Sequence, residues 1–435
     1  MDDTRPYKIS VPQERIDLIK QKLDLANFPD ELENSDWDLG TPLSEIKRLT
    51  RYWKEGFNWR EVESRLNEVP QFTTTIEVDG FEPLATHFVH VKCDVPGVKA
   101  IPLLFIHGWP GSFLESLKLI PLLTSGANGP YFDVVAPSLA DFGFSDAVKR
   151  IGFDPSKHAD LYHKLMLKLG YNEYVTQGGD WGNNTQNCFS AHHPTYMITN
   201  LPKGAIISKF IAVKYGPTHC RSSHFNFMWW VSAPKVSKNP FLWLQYNLQP
   251  HSELDKERLA RRKWFYDEGF GYNDLQRSKP QTIGYALQDS PVGLLAWIYE
   301  KMHDWSDGYK WTDDEILTWV SMYAYSNAGP AASGRIYYMD QHQPADQRAI
   351  VFSPIKSTVP IGISVFPLDI VVWPLAWGRT AGRVVFEKMH PSGGHFAAHE
   401  RPEWLAEDLK TMFGKKGNAY GVVTGRNGYI VGAKL

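Results

Sequence analysis

Gly178-Gly179-Asp180-Trp181-Gly182 follows a strand-like run, YVTQ from Tyr174, and precedes a helical run. A strand turning at once into a helix through small residues is the context of a nucleophile elbow, whose usual form is G-x-S-x-G. Small residues flank the central position because the backbone is strained there and larger side chains collide. Here Asp stands where Ser is usual, which redirects the chemistry. A serine alkoxide suits attack on an acyl carbon, whereas a carboxylate already ionised at neutral pH suits displacement at a saturated carbon. Such attack leaves an alkyl ester on the protein, and water must then restore the Asp. The plainer reading of the same five residues is a Gly-rich turn with an Asx cap, and the rest of the chain weighs against it.

Three further stretches complete a constellation. His107-Gly108-Trp109-Pro110-Gly111-Ser112 comes directly off the strand-like run IPLLFI from Ile101, and its glycines let backbone N–H groups face a site, as an oxyanion hole requires. The second donor belongs to the residue after the nucleophile, so the amides of Trp109 and Trp181 are nominated. The alternative is a simple strand-to-helix turn with Ser112 as cap. Ser392-Gly393-Gly394-His395-Phe396 lies beyond the last strand-like run, and a late His after an elbow and an acid matches the nucleophile–acid–His order of this motif set. His390 ends the strand without flanking glycines and His399 falls in the following helix, so His395 is preferred as general base. Asp369, in Phe366-Pro367-Leu368-Asp369, follows the penultimate strand and is placed to orient and charge-balance His395. Its rival, Glu387, lies inside a strand.

Buried strands alternating with helices from Ile101 onward argue for a mostly parallel sheet, with ligands expected beyond the carboxyl ends of its strands. FDVVA (from Phe132), IGISVFP (from Ile361) and VVFEKMH (from Val384) read as further strands, and Pro402 to about Phe413 as the last helix. Between about 206 and 350 the pattern pauses, with helical, aromatic-rich segments and no clear strands. The expected architecture is therefore a core at 99–205 and 351–413 interrupted by a helical cap at 206–350. A preliminary layer at 1–98 packs on that core. It has a helix start at Ser10 to Pro12, with Ile16, Ile19 and Leu23 on one face, and two strands, FTTTIEV and LATHFVHV, about the turn Asp79-Gly80. Residues 414–435, GNAYGVVTGRNGYIVGAKL at their end, read as a flexible Gly-rich tail.

A chain of 435 residues with 43% hydrophobic and 22% charged residues is ordinary for a soluble globular protein, and its net charge of -2 offers no basic field for nucleic acid or an acidic membrane. Cys93, Cys188 and Cys220 are odd in number and far apart, which reads as reduced thiols in an intracellular protein. The richest apolar stretch, Ile361 to Trp377, is broken by Pro367, Asp369 and Pro374, so no membrane span is expected. The polar, acidic start MDDTRPYKIS is unlike a secretory signal.

Taken together, HGWPGS, GGDWG, FPLD and GGHFA resemble the microsomal-type epoxide hydrolases and their soluble fungal and insect juvenile-hormone relatives, from about Ile9 to about Phe413. The resemblance implies an α/β-hydrolase fold with an inserted helical cap and an N-terminal extension. It implies an enzyme that turns a small lipophilic epoxide and water into a vicinal diol, without a metal or organic cofactor. It further implies two cap tyrosines that hydrogen-bond the epoxide oxygen. Tyr272, after Gly271, matches the first; Tyr338, in Arg335-Ile336-Tyr337-Tyr338, matches the second, with Tyr337 as the alternative one position away. Ring opening leaves an alkoxide, a poor leaving group unless such donors stabilise it. With its polar, acidic start, a membrane anchor like that of the mammalian members is not expected. The chain closes on Ala433-Lys434-Leu435, a variant of the S-K-L address, so a peroxisomal import receptor is an expected partner and peroxisome or cytoplasm the expected location. The nearest rivals are a haloalkane dehalogenase, which needs halide-binding donors in place of cap tyrosines, and a non-catalytic ligand-binding protein on a hydrolase scaffold. Phe227, Trp229 and Trp230 hint at a lipophilic pocket. Detoxification and secondary metabolism are the roles this suggests; a homodimer stays open.

Overall fold

The computed structural model describes residues 3–126, 128–179, 204–216, 218–248 and 252–430. Asp180, Trp181, Cys188 and Ala433-Lys434-Leu435 therefore lie outside the described residues. Among the described residues nine strands form one sheet: β1 Arg5–Pro6, β2 Gln71–Ile76, β3 Leu84–Val91, β4 Ile101–Ile106, β5 Phe132–Pro137, β6 Tyr174–Gly178, β7 Cys220–Phe225, β8 Ile361–Val365 and β9 Val384–Met389. Their order is β1-β2-β3-β5-β4-β6-β7-β8-β9. From β5 to β9 every pairing is parallel, whereas β1, β2 and β3 join antiparallel. Strands β4, β5, β6 and β8 are buried at every position. This is what a near-continuous apolar run requires when helices cover both faces of a parallel sheet. Each large side chain so buried contributes roughly 1.5–3 kcal/mol.

The N-terminal layer is more than a cover. It adds β1 to β3 to the sheet and contributes the helices Gln13–Asp24, Leu43–Glu55 and Trp59–Leu66. In the first of these Ile16 and Leu23 are buried, the face expected from their spacing. The Arg15 guanidinium donates to the carbonyls of Ala324, Tyr325 and Ser326 at 3.1–3.3 Å. Trp37 stacks on His303 with ring centroids 3.5 Å apart. The layer thus clasps the inserted helices as well as the sheet.

Two expectations are revised. First, helix Gly204–Tyr215 and strand β7 fall inside the stretch read as cap, so the core continues to Phe225 and the inserted helices follow it, from Pro240–Leu248 to Ala345–Phe352. The strand was hidden by its composition. CRSSHF is polar, yet Ser222, Ser223 and His224 are buried. They are satisfied locally: Ser222 donates to the Pro360 carbonyl at 2.7 Å, Thr176 to Ser223 at 2.8 Å, and His224 Nε2 lies 3.0 Å from Ser364 Oγ. Ser364 and His390 in turn hold Asp408 at 2.5 and 2.6 Å.

Second, the tail is docked rather than loose up to Ile430. Ala419 and Val423 are buried, and Arg426 pairs with Asp133 at 3.2 Å. The Gly428 amide donates to Lys99 while its carbonyl accepts from Tyr131, and Val98 bridges Ile430 antiparallel. Frequent glycines hid this docking, because the segment is held through its backbone rather than by an apolar stripe. Among the described residues no helix is long and apolar enough to cross a membrane, and Cys93 and Cys220 are free thiols.

Candidate active site

Because β4, β6, β7 and β8 run parallel, their carboxyl ends open on one edge of the sheet, and the motif residues gather there. Gly179 ends the described part of the elbow. A Cβ on it would lie 2.5 Å from Asn226 Oδ1, so a larger residue would have to displace the Asn226 side chain in the loop after β7. The loop after β4 is set by His107, whose Nε2 accepts the Leu139 amide at 3.1 Å while Nδ1 faces the Gly108 carbonyl at 3.0 Å. Burial pulls the His107 pKa down to about 4, which keeps the ring neutral and the proton on Nδ1. Ser112 caps the turn Phe113–Ser116 by accepting the Leu114 amide, so the capping reading of HGWPGS holds alongside any functional one. The helix Asp313–Ala324 grips the same loop: Trp319 donates to the Pro110 carbonyl at 2.5 Å and the Tyr323 hydroxyl to Gly111 at 2.7 Å.

His395 and Asp369 meet as a buried pair. His395 Nδ1 lies 2.8 Å from Asp369 Oδ1, with both side chains 3% exposed, and the Ile370 amide donates to the same oxygen at 2.7 Å. Nδ1 of the imidazole is thereby fixed on Asp369. Arg261, on helix Glu253–Asp267, brings a cation nearby. Burial lowers its pKa and the charge of Asp369 opposes that shift. The rival residues are engaged elsewhere. His390 is bonded to Asp408, His399 to Glu315 and Lys118, and Glu387 to Arg379 at the outer strand.

An aromatic roof closes over the pair. The Trp305 and Phe227 rings stand edge-on to His395 at 5.3 and 5.8 Å. Trp109, 1% exposed, stacks on Tyr272 at 5.2 Å with an interplanar angle of 5° and meets Tyr337 edge-on at 5.7 Å. Tyr272 and Tyr337 are 6.1 Å apart and come from two separate helices, Gly271–Ser278 and Arg335–Gln341. Tyr338, by contrast, stacks on His342 at 4.0 Å and is only half-buried. Of the two neighbours it is Tyr337 that the fold brings to Trp109 and Tyr272. The Lys301 ammonium lies 5.1 Å from the Tyr272 ring and is paired with Glu300, its pKa lowered by burial. Trp229 and Trp230 pack against each other, Trp229 on Phe352 and Trp230 on Phe225.

Comparison with known proteins bears on this geometry. Residues 4–116 match the epoxide hydrolase N terminus family and residues 101–197 the alpha/beta hydrolase fold family. Epoxide hydrolase 1 of Sus scrofa is 33% identical over 95% of this chain and 89% of its own length. The chain belongs to the epoxide hydrolase family. The epoxide hydrolase structure from Aspergillus niger aligns with a TM-score of 0.75 at 29% identity, over 94% of this chain and 95% of that one. The juvenile hormone epoxide hydrolase from the silkworm Bombyx mori aligns with a TM-score of 0.79 at 27% identity, over 94% and 93%. As an epoxide hydrolase the protein is an enzyme of the α/β-hydrolase fold. Trp305, Lys301 and Tyr337 are brought to its aromatic roof by tertiary placement. Only Tyr337 carried a sequence signal, as the neighbour of Tyr338.

Proposed function

We propose that this epoxide hydrolase opens a lipophilic epoxide by direct attack of the Asp180 carboxylate on a ring carbon. The carbon–oxygen bond of the ring breaks as the ester bond forms, and a proton from Tyr272 or Tyr337 passes to the departing oxygen. His395, oriented by Asp369, then takes a proton from water, whose oxygen adds to the ester carbonyl. The amides of Trp109 and Trp181 receive the developing oxyanion. Collapse expels the diol oxygen, which takes the proton held by His395, and the proton of the re-formed Asp180 carboxyl returns to the tyrosinate, so the vicinal diol leaves and every group is restored. One epoxide and one water give one diol. The observation that carries this reading is the buried His395–Asp369 pair, bonded at 2.8 Å, beneath a roof in which Trp109 meets two tyrosines from separate cap helices. A preformed base and two tyrosines among buried aromatic rings supply the two things an epoxide needs, water activation and stabilisation of the alkoxide. The apolar lining, with Phe227 against His395, supports a lipophilic substrate.

Turnover of styrene oxide in water enriched with heavy oxygen, followed by mass spectrometry of the elbow peptide, tests it. Label is expected in Asp180 after several turnovers, and Asp180→Ala should abolish both label and diol. Diol formed without label would mean direct attack by water. Chloride released from haloalkanes, with no diol from any epoxide, would replace the reading with a dehalogenase.

A further inference from the structure

The chemistry above leaves unused a buried carboxylate beside the base. Glu400 ends the short helix Ala397–Glu400 and is 5% exposed. Its Oε1 accepts the Phe396 amide at 3.0 Å, and its Oε2 accepts the amides of Gly394 at 3.2 Å and Asp307 at 2.9 Å. Gly394 and Phe396 are the two neighbours of His395, so one side chain holds the peptide on both sides of the base. The remaining amides of this loop are also taken. Gly393 donates to the Asp307 carboxylate at 2.5 Å, and His395 to the Trp305 carbonyl at 2.7 Å. Four consecutive amides, from Gly393 to Phe396, thus end on Glu400 or on residues 305–307 of the cap. The seating is close: a Cβ on Gly394 would lie 2.4 Å from the Trp305 carbonyl oxygen.

A carboxylate in such a place is costly unless its oxygens are met by donors, and here three amides meet them. Apolar packing could fill the same volume without fixing a direction. Charge-assisted bonds to amides fix both position and direction. Asp369 holds only Nδ1 of the ring, and the place of the other nitrogen depends on where the backbone of His395 stands.

We infer that Glu400 is a positioning residue that, with Asp307, clamps the His395 loop to the cap and so places the base for the water-addition half of the reaction. This rests on the reading of Asp180 and His395 given above. It separates the two half-reactions. Opening of the ring uses Asp180 and the tyrosines and does not need His395 in place, whereas hydrolysis of the ester does. When only hydrolysis slows, the ester accumulates. Both kcat and KM then fall together while kcat/KM is kept.

The test follows styrene oxide by rapid quench in wild type, Glu400→Ala and Glu400→Gln, measuring ester on the elbow peptide and diol separately. Glu400→Ala is expected to form ester at the wild-type rate and to hydrolyse it about 100-fold more slowly, the scale of a 1 Å misplacement. Glu400→Gln keeps the shape and one acceptor oxygen, and should lose about tenfold in hydrolysis. Should Glu400→Ala fail to fold, Glu400→Gln carries the same readout. An unchanged ester lifetime in Glu400→Gln overturns the inference, as does an equal loss in both half-reactions. Absence of any ester on Asp180 in the wild type would instead remove the mechanism, and the inference with it.

Discussion

Replacing Asp369 by Asn isolates one property of the His395–Asp369 pair. The oxygen that faces His395 Nδ1 at 2.8 Å also accepts the Ile370 amide at 2.7 Å. These two donors hold the amide oxygen of an Asn in the same place, and its amino group takes the position of Oδ2. Shape and hydrogen bond survive, and the charge does not. An imidazolium and a carboxylate with charge centres about 4 Å apart attract by about 4 kcal/mol at an effective dielectric constant of about 20. That is about 10³ in rate. The attraction exists only once His395 has taken a proton from water, so the loss falls on ester hydrolysis alone. Rapid-quench measurement of Asp369→Asn should show ester formed at the wild-type rate and decaying about 10³ times more slowly. A decay slowed less than about tenfold, or a matching loss in ester formation, would refute the electrostatic argument.

Other expectations concern the roof, the clamp and the tail. Tyr337→Phe should lower kcat/KM for an epoxide by about 10²–10³, the worth of one donor to a developing oxyanion, whereas Tyr338→Phe should leave it within about threefold; equal losses would place the donor elsewhere. Burial raises the Glu400 pKa from its ordinary 4.5 to about 7, so the folded chain keeps a proton there to higher pH than the unfolded chain, and above 7 the carboxylate that the amides meet prevails. Below pH 4.5 both folded and unfolded chains are protonated there, and as pH rises through 7 up to about 3 kcal/mol of stability is lost. Wild-type denaturation midpoints should therefore fall from pH 5 to pH 8 relative to Glu400→Gln, and parallel curves would contradict it. Val423→Asp buries a carboxyl without a partner, which takes up a proton rather than stay charged, at a cost of roughly 2–7 kcal/mol. Limited proteolysis should then cut after Phe413 in the variant and spare the wild type; equal cutting would mean the docking is weaker than its burial suggests.

Legibility in the sequence followed periodicity and punctuation. The apolar runs at Ile101, Phe132, Tyr174 and Ile361 were readable as strands because strands buried on both faces carry few polar residues, and the outer, half-buried run at Val384 by its β-branched start. Asp369 and His395 were readable because each lies beyond a strand among small or turn residues. β7 was not, since its buried serines and histidine are paid for by hydrogen bonds to Pro360, Thr176 and Ser364 that no local pattern announces. The same holds for Glu400, which reaches the distant Asp307 amide, and for Trp305, whose ring meets Trp109, Tyr272 and His395. One helical position separates Tyr337 from Tyr338, about 100° around the axis. Choosing between them needs the direction from which the helix meets Trp109, and that is fixed by tertiary packing alone.

The grip of Arg15 on the carbonyls at 324–326 spans 310 residues of chain. On a ribosome moving at roughly 5–20 residues per second, the helix Gln13–Asp24 is made on the order of 15–60 s before the segment that will hold it. During that interval Ile16 and Leu23 lack part of their final surroundings, and the first helix of the protein must wait for nearly the last of the cap. Conditions that slow translation should therefore lengthen the chain's exposure to chaperones and proteases at its N-terminal end.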